Sequence, residues 1–323
     1  MGYIMKEAVE EDYRQISEIT IHNEGSISKF IHDSNPEFYS DKEKLIKALE
    51  EHFMWKFKKN PLWVVKKGGE IVGMGGVLSV ELKFKTGYYS ASWDANLFVK
   101  KEHRNKSIGS WIIKKRRNYA DFSMNYPSSK MALRIYKKLG DKMFSVPVYI
   151  KPILSSKKKK MKLDIKEIKR FDEEINSFWA RVENNFEFIV KRDMDYLNWK
   201  YVDIKPKMNY KIFLARNNGI IGGYIILRTI NASIKQGLIC DLLTNPNDKV
   251  AISSLINFAA NYFKEKNIKI VIFSTLYKKY KNALFKKGFF WSFKSLRGSI
   301  ARKQFDIPKK LDIFINGTDS DGA

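Results

Sequence analysis

The same order of strand and helix patterns occurs twice along the chain, and this repetition limits the folds that the sequence can adopt. In the first half, two helical patterns precede three strands with glycines at their turns, and a helix, a strand, a helix and a closing strand follow. The three strands cover Leu62–Val65, Ile71–Val80 and Tyr88–Val99, and the alternating elements run from Ile108 to Tyr149. Strands combined with helices in this order predict helices packed on a mixed sheet.

The second half repeats the strand-strand-strand-helix-strand-helix-strand part of this order. Its elements cover Tyr210–Arg216, Ile220–Ile230, Ile234–Leu243, Val250–Lys264, Ile268–Ser274 and Tyr277–Lys286, with the last strands after Gly288. We therefore expect a structural duplication. The expected fold class is α/β (α+β), with two related domains, each a mixed, mostly antiparallel sheet flanked by helices.

The stretch from Ser155 to Lys160 marks the expected boundary between the two domains. It is polar, contains four consecutive lysines and has no hydrophobic period, which is typical of a solvated linker. We assign an N-terminal domain to residues 1–154, a Lys-rich linker to 155–162 and a C-terminal domain to 163–323. The 323 residues are 44% hydrophobic, so each half is long enough to bury its own core.

The cysteine, histidine and apolar residues of the sequence limit the cellular compartment and the kinds of functional site that we expect. Cys240 is the single cysteine, so the chain forms no internal disulfide, in agreement with a reducing compartment. The four histidines lack the spacing of metal ligands, so we expect no metal. The longest apolar stretches, such as Ile220–Leu227, are shorter than the ~20 residues of a membrane span, and the amino terminus has no signal-peptide core. We expect a cytoplasmic protein without a membrane span.

The chain is strongly basic, with 60 Lys and Arg against 35 Asp and Glu and a formal net charge of +25. Three interpretations are open: a Lys-rich soluble surface, attraction to an anionic ligand such as coenzyme A, and contact with nucleic acid or lipid. The basic residues are scattered over both halves, and no signature of a nucleic-acid-binding module occurs. We therefore do not expect a nucleic-acid partner.

The segment Leu97–Ser110 carries the clearest chemical signal in the sequence. A strand turns through a basic loop of small residues directly into a helix. Such a turn aims unpaired backbone N–H groups and the helix dipole at one point, where an anion fits. Ser107 and Gly109 are small enough for a phosphate to approach the backbone, and Arg104 and Lys106 add charge at the rim. The pattern predicts a diphosphate site.

The loop also has a purely structural alternative, in which Asn105 and Ser107 only cap the helix. If the diphosphate site exists, its contacts come from the end of the strand, the loop and the first helical turn. These residues are Phe98, Val99, Arg104, Asn105, Lys106, Ser107, Ile108, Gly109 and Ser110.

This segment resembles the cofactor motif of the GNAT N-acetyltransferase superfamily, in which Arg/Gln-x-x-Gly-x-Gly/Ala follows a strand and binds the pyrophosphate of acetyl-CoA. Arg104 to Gly109 matches at the first and last key positions, and Ser107 stands where glycine is usual. By element order the resemblance extends to most of residues 1–150. It implies acetyl-CoA, or another acyl-CoA, as cofactor. A backbone amide at Val99 or a neighbour could then hold the thioester carbonyl oxygen.

Ala132–Gly140 looks like the fourth helix of the same family, in which a tyrosine four residues before a glycine faces the thioester sulfur. The resemblance implies Tyr136 as the general acid for the departing thiolate, with packing on the sheet as the alternative. Asp94 is the candidate base for the attacking amine, with Asn96 beside it to hold a water, or else a solvated strand residue. No Ser-His-Asp or Cys-His arrangement suggests itself, which favours direct transfer.

The second half has lost both chemical positions. Its loop, Leu242–Lys249, has no glycine and contains Pro246 and Asp248, and an aspartate would repel a diphosphate. Leu284 stands where the tyrosine would be. We therefore interpret this half as a degenerate GNAT-like repeat that supports the acceptor site.

Arg192–Tyr201 resembles a stretch near the start of the second domain in some tandem GNAT-like proteins. Arg192, Tyr196 and Trp199 are candidate substrate-binding residues, because rings and a guanidinium suit sugars or acidic groups. The alternative is that the aromatic residues only pack a helix. The closing Asp319–Asp321 segment is polar and is predicted to be a tail, with the option that it reaches a site.

The leading functional hypothesis is an acyl-CoA-dependent N-acyltransferase, acting on the amine of a small molecule or amino sugar that can be anionic. Two alternatives stay open. One is a non-catalytic GNAT-like binding module. The other is a Fem-like transferase that takes aminoacyl-tRNA.

Overall fold

One continuous mixed sheet runs through both halves of the protein. In the computed structural model, residues 2–22, 41–127, 129–153, 162–231, 234–303, 307 and 310–320 are described, and thirteen strands of these ranges form a single sheet. The predicted α/β class, with helices on a mostly antiparallel sheet, is confirmed. The two expected sheets are joined into one, which the sequence patterns did not predict.

The first half has the predicted order of elements. They are β1 Ile4–Glu7, α1 Asp12–His22, α2 Lys42–Phe57, β2 Leu62–Lys67, β3 Glu70–Phe84, β4 Gly87–Val99, α3 Ile108–Arg117, β5 Phe122–Asn125, α4 Lys130–Lys138 and β6 Lys142–Pro152. Local chemistry explains their limits. The Asp41 side chain caps α2 by accepting from the backbone N–H of Lys44 at 3.1 Å, and Pro61 follows the helix.

The second half repeats this order with additions. Its elements are β7 Asp164–Ile168, α5 Glu174–Val182, β8 Phe188–Val190, α6 Met194–Tyr201, β9 Tyr210–Asn217, β10 Ile220–Ile230, β11 Gln236–Thr244, α7 Lys249–Glu265, β12 Ile270–Ser274, α8 Lys278–Lys286 and β13 Phe290–Arg302. The expected linker lies outside the described residues except for Lys162. The division into domains at this linker therefore stays a prediction.

The last strand of each half pairs with the other half. The sheet order is β1-β2-β3-β4-β5-β13-β6-β12-β11-β10-β9-β7. Strand β13 pairs antiparallel with β5, with Ser299 opposite Asn125, and also with β6. Strand β6 pairs antiparallel with β12, with Ile150 opposite Ile272. Each half also contains one parallel pair, β4 with β5 and β11 with β12. The backbone ladder thus connects the halves through exchanged strands.

One of the two large hydrophobic cores also combines residues of both halves. One core belongs to the second half, around Tyr224, Leu255 and Phe273. The other combines Trp93 of the first half with Ile315 near the carboxyl end of the chain. Strand β8 of the second half also pairs with β3 of the first. None of the helices in the described ranges combines the length and the apolar character needed to cross a membrane.

A glycine in the exchanged strand β13 gives the first prediction. A Cβ at Gly298 would lie 2.6 Å from the carbonyl oxygen of Asn125 and 2.2 Å from the ring of Phe144. Gly298→Ala should therefore lower the free energy of unfolding by about 1–3 kcal/mol, as overpacking does. Urea denaturation measures this change.

The matched control is Gly222→Ala in β10, where a Cβ would lie 3.8 Å from the carbonyl oxygen of Ala215. This second variant should be close to wild type in stability. If both variants were equally stable, the close packing of β13 against β5 and β6 would be refuted.

Candidate functional site

The backbone conformation of the loop between β4 and α3 leaves the first N–H groups of α3 without a capping side chain among the described residues. Asn105 and Ser107 adopt left-handed conformations, with φ of 62° and 61°. Among the described residues, the Ser107 hydroxyl finds no N–H of α3 to accept from, although it occupies the N-cap position. The capping alternative for Ser107 is therefore wrong. The first-turn N–H groups of Ile108, Gly109 and Ser110 have no intrahelical acceptor and remain available to an anion.

Gly109, in the first turn of α3, has room for a side chain. A Cβ on Gly109 would have Val99 Cγ2, at 3.8 Å, as its nearest described neighbour. Internal packing therefore does not require a glycine here, whereas close approach of a ligand would. Arg104 donates from Nε to the carbonyl oxygen of Val99 at 3.1 Å, and Lys106 is exposed at the rim. This space is the cradle that a diphosphate would fill.

The corresponding helix end of the second half is closed by its own side chain. Asp248 accepts from the N–H groups of Val250 and Ala251, at 3.0 and 2.9 Å, and so caps α7. The carboxylate occupies the position where an anion would bind and carries the same sign of charge. Of the two equivalent helix ends, the one at Ile108 is open.

Strand β4 beside the loop has an open edge. It pairs in parallel with β5 over Ala91–Trp93, and from Asp94 onward no described strand follows on that side. The register against β3 shifts between Met74 and Gly76, which places a bulge in β4 at Asn96, where φ is 53°. The end of β4 therefore offers backbone groups to a ligand close to the loop.

Asp94 and Tyr136, the two predicted catalytic residues, are brought together in a buried cluster with Arg116. The Tyr136 hydroxyl donates to Asp94 Oδ2 and accepts from Arg116 Nη2 at 2.7 Å. Arg116 also lies 3.3 Å from Asp94 Oδ2 and donates to the carbonyl oxygen of Ala95. The interpretation of Asp94 as a solvated strand residue is therefore wrong, because its side chain is 3% exposed.

Burial dominates the electrostatics of this cluster. It raises the pKa of Asp94, and the Arg116 guanidinium opposes that rise. Burial also raises the pKa of Tyr136 well above its usual value, so the phenol stays protonated at neutral pH. Asn96, predicted to hold a water next to Asp94, accepts a hydrogen bond from Lys56 Nζ at 2.7 Å.

A pocket between the two halves lies on the other face of β4. Side chains alternate along a strand, so Trp93 points into this pocket while Asp94 points away from it. The pocket takes its walls from α2, β3, β4, α6, β9 and the carboxyl-terminal segment. Its aromatic lining includes Trp55 and Trp199, which stack with ring centroids 5.1 Å apart. We call it the inter-half pocket.

The predicted substrate-binding residues divide between this pocket and the layer behind it. Tyr196 and Trp199 line the pocket. Arg192 is fully buried behind the wall, where it pairs with Asp319 and lies 3.4 Å from Asp241. Its guanidinium therefore holds the wall in place.

The carboxyl-terminal segment is part of the pocket. Asp319 and Ser320 are buried and line it, with Thr318 beside them. The prediction of a polar tail is therefore wrong for Asp319 and Ser320, while Asp321 lies outside the described residues. The alternative, that this segment reaches a site, stays a prediction. Asp319 carries the ion pair with Arg192, and its carbonyl oxygen accepts from Lys200 Nζ at 2.7 Å.

Comparison with known proteins identifies the part of the chain that holds the open loop. Residues 58–140 match the family model of the acetyltransferase (GNAT) domain. This part of the chain is therefore similar to a GNAT acetyltransferase domain. The matched region includes β2, β3, β4, the loop, α3, β5 and α4. No curated protein matches the chain significantly.

Solved structures extend the GNAT similarity to both halves. A GCN5-related N-acetyltransferase from Anabaena variabilis has a TM-score of 0.64 and 15% identity, covering 93% of this chain and 72% of that one. A GCN5-related N-acetyltransferase from Kribbella flavida has a TM-score of 0.62 and 10% identity, with coverages of 93% and 71%. N-myristoyltransferase from Saccharomyces cerevisiae with bound myristoyl-CoA has a TM-score of 0.59 and 12% identity, with coverages of 92% and 82%. At these identities the similarity establishes the fold alone.

The sequence patterns missed several residues that line the inter-half pocket. Lys56 and His52 come from α2, and Lys200 comes from α6. Lys56 follows Leu49 and Phe53 at helical spacing, so it continues the apolar stripe of α2 and is completely buried. A lysine at a core position of a helix is the signal that could have revealed it, because lysine is rarely buried without a function or a partner.

Burial shifts the ionisation of these groups. It lowers the pKa of Lys56 well below its usual value, and the nearby Lys200 lowers it further. Burial also lowers the pKa of Lys200 to about 8, while Asp319 opposes that shift. The His52 ring donates from Nδ1 to the carbonyl oxygen of Lys205 at 2.8 Å, and burial, followed by Lys56, lowers its pKa to about 3.

The buried His52 should make the fold sensitive to acid. Its pKa of about 3 in the fold lies below the value of 6.5 expected in the unfolded chain. Between these two pH values the unfolded chain binds a proton that the folded protein does not, so stability falls as the pH drops below 6.5. At about 1.4 kcal/mol per pH unit, the loss by pH 5 is about 2 kcal/mol.

Urea denaturation at pH 7.5 and pH 5 tests this expectation on the wild type and on His52→Gln. The decrease in the free energy of unfolding between the two pH values should be about 2 kcal/mol smaller in the variant. An equal decrease in both proteins would contradict a neutral, buried His52.

Proposed function

We propose that this protein is an acyl-CoA-dependent N-acyltransferase that uses acetyl-CoA in the first instance. The acceptor is an amine of a small molecule or amino sugar, and the transfer is direct. The open N-terminus of α3 carries the proposal, because its free N–H groups and the space in front of Gly109 suit a diphosphate. The GNAT domain match over residues 58–140 supports it.

The cofactor residues act together along the end of β4 and the loop. The N–H groups of Ile108, Gly109 and Ser110 would bind the diphosphate, and Arg104 and Lys106 would add charge. The backbone of Phe98 and Val99, at the open edge of β4, would position the acyl arm and its carbonyl oxygen. Bound acyl-CoA supplies the thioester carbon that the acceptor nitrogen attacks.

The transfer forms an amide bond while the carbon–sulfur bond breaks. The thiolate takes a proton, and the attacking amine loses one. A covalent intermediate on the single cysteine is not supported, because Cys240 is buried and its pKa is raised to about 12. Direct attack by the acceptor amine fits this environment better.

Tyr136 is the proposed proton donor to the thiolate. It stays protonated at neutral pH, and the bond from Arg116 would stabilise the phenolate left behind. Asp94 accepts a hydrogen bond from the Tyr136 hydroxyl and lies on the opposite face of β4 from the inter-half pocket. We therefore assign Asp94 the orientation of Tyr136 in preference to deprotonation of the acceptor.

Two substitutions test the assignment of this loop as the cofactor site, one expected to weaken acetyl-CoA binding and the other to tighten it. Gly109→Val should weaken acetyl-CoA binding by at least about tenfold, because the side chain would fill the space beside the free N–H groups. Ser107→Gly should tighten binding and stabilise the fold by about 1 kcal/mol, because it relieves a left-handed serine. Isothermal titration calorimetry with acetyl-CoA and with myristoyl-CoA measures both affinities and compares the two acyl chains.

A lysine next to the N-cap residue of each helix supplies the control. Lys106→Ala should weaken acetyl-CoA binding a few-fold, whereas Lys249→Ala, at the closed helix end of the second half, should leave it unchanged. Unaltered affinity in Gly109→Val, with a normal melting temperature, would refute the loop as the cofactor site.

The role of Tyr136 is tested by Tyr136→Phe. The variant should lower kcat about 100-fold, the size of a general acid contribution, with little change in the KM for acetyl-CoA. Release of the coenzyme A thiol over a panel of amines measures both constants. A retained kcat would leave Tyr136 as a packing residue.

Tyr280→Phe is the matched control, since Tyr280 is a buried tyrosine of the second half that accepts from the N–H of Thr244 at 3.1 Å. It should cost about 1 kcal/mol of stability and leave kcat unchanged. Cofactor binding without turnover on any amine would instead favour the non-catalytic binding module.

A further inference from the structure

We propose that the acceptor is an aromatic amine carrying a carboxylate, and that Lys56 and Lys200 in the inter-half pocket bind this carboxylate. The inference rests on the proposed function, because it names the substrate class of the same enzyme.

Two lysine side chains from different halves line this pocket. Lys56 comes from α2 and is completely buried, and Lys200 comes from α6. Lys56 Nζ donates to Asn96 Oδ1, and Lys200 Nζ donates to the carbonyl oxygens of Asp319 and Ser320. A carboxylate between the two ammonium groups would offset both their desolvation and their mutual repulsion. The pair is therefore suited to an anionic group.

The neighbouring carboxylate limits the charge of that group. Asp319 lines the same pocket and is held by Arg192 on its far side. With both lysines charged, Lys56, Lys200 and Arg192 against Asp319 and Asp241 leave one net positive charge in this region, which a monoanion would neutralise. A carboxylate fits this balance.

The remaining walls suit a flat apolar group. Trp55 and Trp199 stack against each other, and Trp93 lies in the pocket floor. Leu78 and Val80 of β3 complete an apolar surface. These aromatic and aliphatic walls provide the apolar contact that an aryl ring needs.

Lys56 also connects the pocket to the proposed donor site. Its Nζ donates to Asn96 Oδ1, which sits at the β4 bulge three residues before Val99. A carboxylate held by Lys56 would therefore keep the acceptor close to the end of β4, where the thioester is proposed to lie. The acceptor nitrogen would replace sulfur on the acyl carbon, and coenzyme A would leave as the thiol.

A matched pair of acceptors tests the inference. L-phenylalanine and phenethylamine differ by the carboxylate, so kcat/KM with acetyl-CoA should be about 10- to 100-fold higher for L-phenylalanine. Lys56→Met should lower the ratio of the two kcat/KM values to about one, because it removes the proposed partner of the carboxylate. Lys56→Gln, which can still bond to Asn96, serves as a second variant in case the methionine affects folding.

Lys83→Met is the control, because Lys83 is a buried lysine of β3 outside the pocket that donates to the carbonyl oxygen of Lys85. It should retain the full preference for L-phenylalanine. Equal or faster turnover of phenethylamine or glucosamine by the wild type would overturn the inference and leave the acyltransferase proposal intact.

Binding of L-phenylalanine in the absence of acetyl-CoA distinguishes the carboxylate site from the proposed acyltransferase function. Quenching of tryptophan fluorescence by L-phenylalanine should saturate in the wild type and in Lys83→Met, and should weaken at least tenfold in Lys56→Met. If L-phenylalanine binds in this manner while acetyl-CoA does not bind at all, the proposed function fails and the carboxylate site stands. Absence of L-phenylalanine binding refutes the site.

Discussion

The backbone hydrogen bonds of the exchanged strands β6 and β13 hold the architecture together. Because β13 lies between β5 and β6, and β6 continues to β12, neither half completes its sheet without a strand of the other. The segment after β13 then returns to the first half, where Ile315 enters the core. The inter-half pocket exists because this exchange fixes α2, α6 and Asp319 around one space.

The two halves share a scaffold but differ at the point where an anion would bind. At the end of β4, left-handed Asn105 and Ser107 leave the first turn of α3 uncapped. At the end of β11, the Asp248 carboxylate satisfies the equivalent turn of α7. One half is thus suited to a diphosphate, while the other contributes Tyr196 and Trp199 to the pocket wall. This asymmetry agrees with the proposal of a single cofactor site in the first half.

Local sequence patterns predicted the features of the fold that depend on neighbouring residues in the chain. The strands, helices and loop follow from hydrophobic period and turn residues, and Tyr196 and Trp199 were found because aromatic residues cluster in one short stretch. The exchange of β6 and β13 was not predictable, because strand pairing is set by contacts far apart in sequence. The burial of Asp94 was missed for the same reason, since its partner Arg116 lies on another element.

A crystal structure of the protein with acetyl-CoA would show where the diphosphate binds. We expect the diphosphate within hydrogen-bonding distance of the N–H groups of Ile108, Gly109 and Ser110, with the thioester at the open edge of β4 beyond Trp93. A diphosphate bound elsewhere, for example beside Asp248 at the end of α7, would contradict this expectation.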